Sequence, residues 1–503
     1  MIRLILREGE RYSAKQIRTQ VFSDHQATSV IADFPEERTT LLVKRIIETL
    51  IELKLPSTQL PTVTSVPLSE DAENDDALDD ERDEDNRVYL ARPTRNGGLA
   101  LRHLVGSATL QWLPSEGLPP VAVEVLPKIT HEDEDADRAS LRRMWEYACD
   151  LNLREEEQAN EADDAKMPLH EWLIQRFLNQ VEQLLARGIR ANYVGNEGNL
   201  LTVRGRLSVQ ENLRQNTHAP HRFYCRFEEF SPNRPENRLI KSTILAVRAQ
   251  TQLPDTRRRA AHLAEWLHEV PASSDISRDF ALWRTDRLMT HYLEIRPTCE
   301  WILRSQSASP VAGVQSMIGR FVRMNDVFER YVTRWMQEKM RGNYQVLGQG
   351  EGEGTLPLCK DTHDRPEYQM RPDIRVVRCS ASQKNCVAIL DAKWKPSNKD
   401  GKLASGGDLY QMFAYASHWL NRCDHEAEPR LISLIYPATN DGETSYAFSY
   451  PKLDGVTAMV LRFHLPRRTA NDRWREGFLV DQATLNMAPY LPLPLSDWTS
   501  AIG

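Results

Sequence analysis

The chain alternates between stretches of period two and stretches of period 3.6 in its apolar positions, and each change of period marks an element. Residues 2–6 read as a strand. Residues 36–53 place Leu41, Leu42, Ile46, Ile47 and Leu50 at helical spacing, which predicts an amphipathic helix. From residue 87 to 129 the pattern turns to β. Segments 88–90 and 108–112 flank turns at Asn96-Gly97-Gly98 and 114–117, and 120–129 is an apolar run rimmed by Pro120 and Pro127. Leu141, Met144, Trp145 and Ala148 give a helix over 141–153, and a longer helix over 168–188 stops at Gly188.

Residues 243–251, 260–270 and 280–293 are again helical, with Arg257-Arg258-Arg259 between the first two. Beyond residue 312 the pattern predicts a helix with Phe321, Phe328, Tyr331, Val332 and Trp335 on its apolar face. Strands follow at 344–347, 373–377 and 387–391, then a helix over 407–415 and strands at 431–436 and 458–463. Segment 348–360, rich in Gly and Pro, reads as a loop. The fold class is therefore α+β or α/β and multidomain. A mainly β module spans 1–130, a mainly helical connecting domain 131–306, and a C-terminal domain 307–503 ordered α-β-β-β-α-β.

Composition adds limits. The 503 residues are 41% hydrophobic and 27% charged, ordinary for a globular protein. No apolar run reaches membrane-spanning length, and the first residues are too charged for a signal peptide. The seven cysteines are scattered and form no Cys-x-x-Cys, so neither a disulfide framework nor a zinc site is expected and the cytoplasm is the expected compartment. The net charge is −7, but residues 69–86 alone hold 11 acidic side chains and one Arg, leaving +3 on the remainder. That run is expected to be a solvated loop, as are the acidic stretches 131–137 and 154–164. Nucleic acid would be met by local arginine clusters, not by a basic whole.

The chemistry concentrates near residue 391. Val387-Ala388-Ile389-Leu390 is apolar, and Asp391 and Lys393 follow it. Residues i and i+2 of a strand share a face, so these two project together. If the strand at 373–377 pairs with this one, Asp373 lies beside Asp391. Two carboxylates and an ammonium then converge, a set suited to phosphodiester hydrolysis. Mg²⁺, with Mn²⁺ as the alternative, takes oxygen ligands of this kind: Asp373, Asp391 and the carbonyl of Ala392. Lys393 would orient water or stabilise the transition state. The plainer reading of an Asp-x-Lys is a solvated ion pair at a strand end. Gln411 and Tyr415 stand at i and i+4 on one helix face, and Glu329 on the preceding helix is a candidate third carboxylate. Pro372-Asp373 with Asp391-Ala392-Lys393 resembles the PD-(D/E)xK nuclease motif, and Gln411-x-x-x-Tyr415 resembles the motif that follows the catalytic strand in some of these nucleases.

A wider resemblance covers residues 120 to 437. It rests on Val125-Leu126-Pro127-Lys128-Ile129, Arg204-Gly205-Arg206-Leu207, Tyr224-Cys225-Arg226-Phe227-Glu228-Glu229-Phe230, Asn237-Arg238-Leu239-Ile240-Lys241, the helix at 325–331 and the motifs just named. In that order they resemble McrC, the nuclease subunit of McrBC-type restriction systems. The resemblance implies a restriction-endonuclease-like C-terminal core that cuts DNA, and an N-terminal part that docks into a hexameric, GTP-hydrolysing AAA+ ring of the McrB kind and stimulates it. It implies cleavage when two such assemblies meet, with the modified base recognised by the partner. Arg204 and Arg206 become candidates for contacting the ring, against a plainer role in covering apolar surface with their stems. The alternatives at this stage are a non-cutting adaptor of the motor and a stand-alone exonuclease.

Overall fold

The computed structural model describes residues 2–23, 35–56, 87–131, 133–148, 167–251, 253–284, 289–304, 314–340, 344–349, 351, 356–363, 365–379, 384–395, 404–420, 430–439, 444–453, 455–468 and 474–479. The acidic runs at 69–86 and 154–164 lie outside them. Two compact units are present, one made of residues 1–170 with 307–503 and the other of 171–306.

The first unit opens with β1 (Ile2–Arg7), the short β2 (Arg11–Tyr12) and helices α1 (Ala14–Ser23) and α2 (Glu36–Glu52). Strands β3 (Lys54–Pro56), β4 (Arg87–Tyr89), β5 (Ala91–Pro93), β6 (Leu99–Leu101), β7 (Leu104–Trp112) and β8 (Val121–Leu126) follow, then α3 (Glu134–Ala148). β1 runs parallel to β8, which pairs antiparallel with β7. Ile2, Leu4 and Leu6 from β1 meet Val121, Val123 and Val125 from β8 in one core with Leu42, Ile46 and Leu50 of α2. Leu41, expected on that face, is 42% exposed. The acidic stretch at 131–137, expected as a loop, instead starts α3. Glu134, Asp135 and Asp137 occupy its first turn, where the helix dipole favours negative charge, and buried Asp137 pairs with Arg7 at 2.9 Å.

In the second unit, α4 (Leu169–Arg187) ends at Gly188, whose φ of 86° supplies the left-handed stop that the sequence predicted. A three-stranded antiparallel sheet follows, ordered β10 (Arg206–Leu207), β11 (Phe223–Ser231), β9 (Asn192–Leu200), with α5 (Val209–Asn216) between β10 and β11. Helices α6 (Pro235–Gln250), α7 (Pro254–Trp266), α8 (Ile276–Ala281) and α9 (Thr290–Arg304) complete the unit. The expected helix over 280–293 is thus two helices. The arginine triplet lies inside α7, with Arg258 paired to Asp255 and Arg259 to Glu182.

The chain then returns to the first unit. Residues expected to begin a helix at 312 form β12 (Val314–Arg323), which pairs antiparallel with β7 and closes the order β1-β8-β7-β12. Phe321, assigned to the helix face, sits in this strand opposite Gly106 and is buried. Val314, Ile318, Phe321 and Val322 are strand formers, and the helical period starts only at Met324, in α10 (Met324–Lys339). After β13 (Tyr344–Gly348), the expected loop contains a strand. β14 (Leu356–Lys360) pairs with β15 (Pro366–Met370) as a two-stranded ribbon. Next come β16 (Ile374–Cys379), β17 (Lys384–Ala392), α11 (Gly406–Tyr415), β18 (Arg430–Ala438), β19 (Tyr446–Phe448), β20 (Val456–Arg468) and β21 (Trp474–Phe478). The large sheet is ordered β13-β16-β17-β18-β20-β19 with β21 on β20. Its central strands β17, β18 and β20 run parallel and read as continuous apolar runs because both faces are covered. Met412, Tyr415 and Trp419 pack there on Ile389, Ile432, Leu434 and Val460.

Candidate active site

The antiparallel register of β16 and β17 places Ile374 opposite Leu390. Asp373, one residue before β16, therefore stands beside Asp391, the penultimate residue of β17. The backbone N–H of Ala392 donates to Asp373 Oδ2 at 2.9 Å, which fixes the first carboxylate against the second strand. Lys393 Nζ lies 2.8 Å from Asp391 Oδ2, so the two side chains share a face as strand periodicity requires. Asp391 is 1% exposed. Its Oδ2 is held by the Lys393 ammonium at 2.8 Å, a charge-assisted contact.

Helix α11 completes the constellation. Lys393 Nζ donates to Gln411 Oε1 at 3.1 Å, Gln411 Nε2 donates to the Tyr415 hydroxyl at 3.0 Å, and that hydroxyl donates to the Arg371 carbonyl at 3.2 Å. The chain Lys393–Gln411–Tyr415–Arg371 so runs from the end of one strand to the start of its neighbour. The helix is held in register by a capping box of Ser405 and Asp408. Asp408 also accepts from Tyr436 at 3.1 Å and pairs with Lys395 at 3.4 Å. Burial pushes the Asp408 carboxyl up, but Lys395 and the Ser405 bonds outweigh it and hold it below its ordinary value.

The electrostatics show an excess of negative charge. Burial first, then Asp391 and Glu329, raise Asp373 well above the carboxylate range. Glu329, from α10, is pushed up to about 8 by burial and by Asp326 and Asp391, against Arg330 and Lys393. Burial would lower Lys393, yet Asp391 and Asp373 prevail and hold its pKa above the ordinary value. Three carboxylates thus face one ammonium. Among the described residues no group of three or more His, Cys, Asp or Glu side chains forms a ready cage for a metal. The donors are nevertheless of the right kind for Mg²⁺, which is typically bound by one or two carboxylates with waters and phosphate filling the rest. The mutual repulsion of Asp373, Asp391 and Glu329, which helps raise Asp373 and Glu329, is what a divalent cation would relieve.

Several residues around this site went unread in the sequence. Trp394, 1% exposed, donates its indole N–H to Glu8 Oε1 at 2.5 Å and packs on Phe328 with ring centroids 5.3 Å apart. The Met324 N–H, at the start of the helix that carries Glu329, donates to the His103 carbonyl at 3.3 Å. Loops of the N-terminal sheet therefore brace both elements that reach the site. The Ser405-x-x-Asp408 cap was readable from spacing. The Glu8–Trp394 bond spans most of the chain and leaves no local signal. Arg204 and Arg206 sit elsewhere, in the 171–306 unit. Arg204 lies over the Phe227 ring at 4.7 Å and within 3.5 Å of Glu229, while Arg206 is exposed on β10 opposite Arg226.

A mixed α/β chain with this cluster at the edge of two paired strands meets its relatives at one place. The family described as "McrBC 5-methylcytosine restriction system component" matches residues 101–437. The chain belongs to that family. A chain in the refined half-complex of the tetradecameric assembly of Thermococcus gammatolerans McrB AAA+ hexamers with bound McrC is similar in fold. It is 16% identical, with 96% of this chain and 98% of that one aligned at a TM-score of 0.59. A chain in the cryo-EM structure of the Thermococcus gammatolerans McrBC complex aligns over 68% of this chain and 88% of its own, at 16% identity and a TM-score of 0.44. No protein of curated function matches. Among the described residues, no helix is long and apolar enough to cross a membrane.

Proposed function

We propose that this chain is a divalent-metal-dependent DNA endonuclease subunit with a PD-(D/E)xK core, working with a GTP-hydrolysing AAA+ ring of the McrB kind to restrict foreign DNA. The observation that carries the reading is the convergence of Asp373, Asp391 and Lys393, locked by Gln411 and Tyr415. Membership of a restriction-system family supports it, as does the likeness to a structure in which McrB AAA+ hexamers hold McrC.

Asp373 and Asp391 would hold Mg²⁺, or Mn²⁺ in its place, with the Ala392 carbonyl and Glu329 as further ligands. Bound there, the ion would acidify a water and offset charge on the phosphate. Lys393 keeps its proton at neutral pH. It therefore acts as a donor and a fixed positive charge, orienting the attacking water and stabilising the developing phosphoryl oxyanion, and does not act as the base. Gln411 holds the ammonium in one orientation, and Tyr415 holds Gln411. Arg204 and Arg206, on the exposed sheet of the 171–306 unit, are assigned to the ring-facing surface, where Tyr193 and Phe230 are 70% and 62% exposed. Cleavage is assigned to the encounter of two such assemblies.

The test is Lys393→Ala in the full chain, mixed with its AAA+ partner, GTP, Mg²⁺ and DNA. Cleavage is expected to vanish while stimulation of GTP hydrolysis persists. Surviving cleavage would sink the site assignment. A wild-type chain that stimulates the motor but never cuts would leave an adaptor, and digestion of DNA ends without partner or nucleotide would indicate a stand-alone exonuclease.

A further inference from the structure

Away from the carboxylate site, the first unit carries a second concave feature. A cleft of about 670 Å³ opens over the small sheet β2-β6-β5. Its described lining includes Arg11, Arg92 and Arg95 with Ser13, Gln16 and Asn96, and no acidic side chain. In a chain of net charge −7 this is a local concentration of one sign.

The sheet register explains the convergence. Arg11 pairs with Ala100 across β2 and β6, and Arg92 pairs with the same Ala100 across β5 and β6. Residues directly opposite one another in a sheet share a face, so the two arginines flank the small Ala100 on one side. Their backbones stand about 10 Å apart, twice the strand spacing. Ala100 is nearly buried and forms a floor between them, whereas Arg11, Arg92 and Arg95 are exposed. Arg95 is presented by a tight turn. The N–H of Thr94 donates to the Gly98 carbonyl, the N–H of Gly97 to the Thr94 carbonyl and the N–H of Gly98 to Thr94 Oγ1, all at 3.0–3.1 Å. Gly97 takes the φ of 70° that this turn demands. The start of α1 also lines the cleft. Its Ser13 and Gln16 cap each other at 2.8 Å, and its positive dipole end adds to the same field.

Guanidinium groups suit phosphate because their planar fork meets two oxygens at once. Two guanidinium groups on backbones about 10 Å apart, with a third on the adjoining turn, suit a row of phosphates along a duplex strand better than one compact anion. The cleft and the carboxylate site are linked through one stretch of chain. Glu8, bonded to Trp394 beside Lys393, lies three residues before Arg11, a chain length of about 10 Å. Both belong to the same compact unit. We infer that the Arg11–Arg92–Arg95 cleft holds the phosphate backbone of the DNA whose cleavage is assigned to the Asp373–Asp391–Lys393 site. It is a positioning surface that reads charge and carries no base specificity. The inference rests on the nuclease reading, but its test does not use cleavage.

The experiment measures binding of a short fluorescent duplex to the full chain by anisotropy, in EDTA, from about 50 to about 200 mM salt. Proteins compared are wild type, the triple variant Arg11→Ala/Arg92→Ala/Arg95→Ala and a charge-matched control, Arg214→Ala/Arg248→Ala/Arg258→Ala. The cleft variant is expected to bind about tenfold or more weakly at the lowest salt, with a log–log salt slope about 2–3 less steep. The control is expected to keep the wild-type slope. Melting curves check that the cleft variant is folded. A wild-type slope in the cleft variant overturns the inference and leaves the nuclease reading standing. So does an equal loss in the control, or the absence of duplex binding by wild type. If ATP or GTP binding is lost in the cleft variant while duplex binding is untouched, the cleft is a small-phosphate site and the inference also fails. Failure of Lys393→Ala to abolish cleavage would fell the nuclease reading independently.

Discussion

His170 shows how burial sets the behaviour of one side chain. Its Nδ1 lies 2.9 Å from Ser107 Oγ and its Nε2 3.4 Å from Thr109 Oγ1, and burial depresses its pKa to about 4 from 6.5. As pH falls, the unfolded chain takes up this proton near 6.5, while the folded chain resists until about 4. The stability that the neutral ring permits is whole above 6.5 and drains across that window, by up to about 3 kcal/mol. Urea unfolding of wild type and His170→Asn, at neutral pH and near pH 5, should show wild type losing about 2 kcal/mol more on acidification. Equal losses would refute the assignment. At this scale the sequence was most legible where short-range geometry decides. Asp391 with Lys393 follows from period two, and Gln411 with Tyr415 from a helical turn. Glu8 and Trp394, 386 positions apart, have no such rule, and burial, not sequence type, raises Glu329.

Elements are fastened by a few buried polar contacts. Glu476 on β21 accepts from Arg143 of α3 at 3.2 and 3.1 Å and from the Tyr331 hydroxyl of α10 at 2.7 Å. One carboxylate thus ties two helices to the edge of the large sheet. Phe463 packs edge-on to Tyr331 and Trp335 beneath it. Glu476→Ala would leave a mostly buried guanidinium and a buried hydroxyl without this partner, at a cost of about 3 kcal/mol. Thermal melting should register a fall of several degrees, and an unchanged midpoint would show that Arg143 finds compensation from Glu146. The elements misread from sequence have more than one cause. β12 and the start of α3 lean on distant partners, β7 and Arg7, whereas β14 pairs with β15 across a short turn and was hidden by the Gly- and Pro-rich residues around it. Long periodic helices such as α2 and α4 needed no partner to be legible.

For the whole molecule the decisive fact is chain order. β12, which follows the 171–306 unit, is hydrogen-bonded to β7, which precedes it. It then leads directly into α10, the helix that carries Glu329. The C-terminal half, which carries the Asp373–Asp391–Lys393 cluster, therefore has no clean cut at its front. A fragment of residues 307–503 would carry β12 without β7 and α10 without the brace of His103. It should be largely insoluble or lack a cooperative melt, whereas the full chain should melt cooperatively. A soluble fragment with a sharp transition would refute this dependence. Chain length and element order suggested several domains, but only the structure shows that the 171–306 unit is inserted between two parts of the other.

The same closure by β12 sets a timetable for synthesis. A ribosome that has released β7 must add about 200 further residues before β12 emerges, a delay of about 10–40 s at ~5–20 residues per second. Throughout that interval β7 is an open edge, rich in Val, Leu and Ala, able to pair with any passing strand. Newborn chains are thus most vulnerable midway through translation, and a holdase chaperone that masks this edge would raise the yield of folded protein.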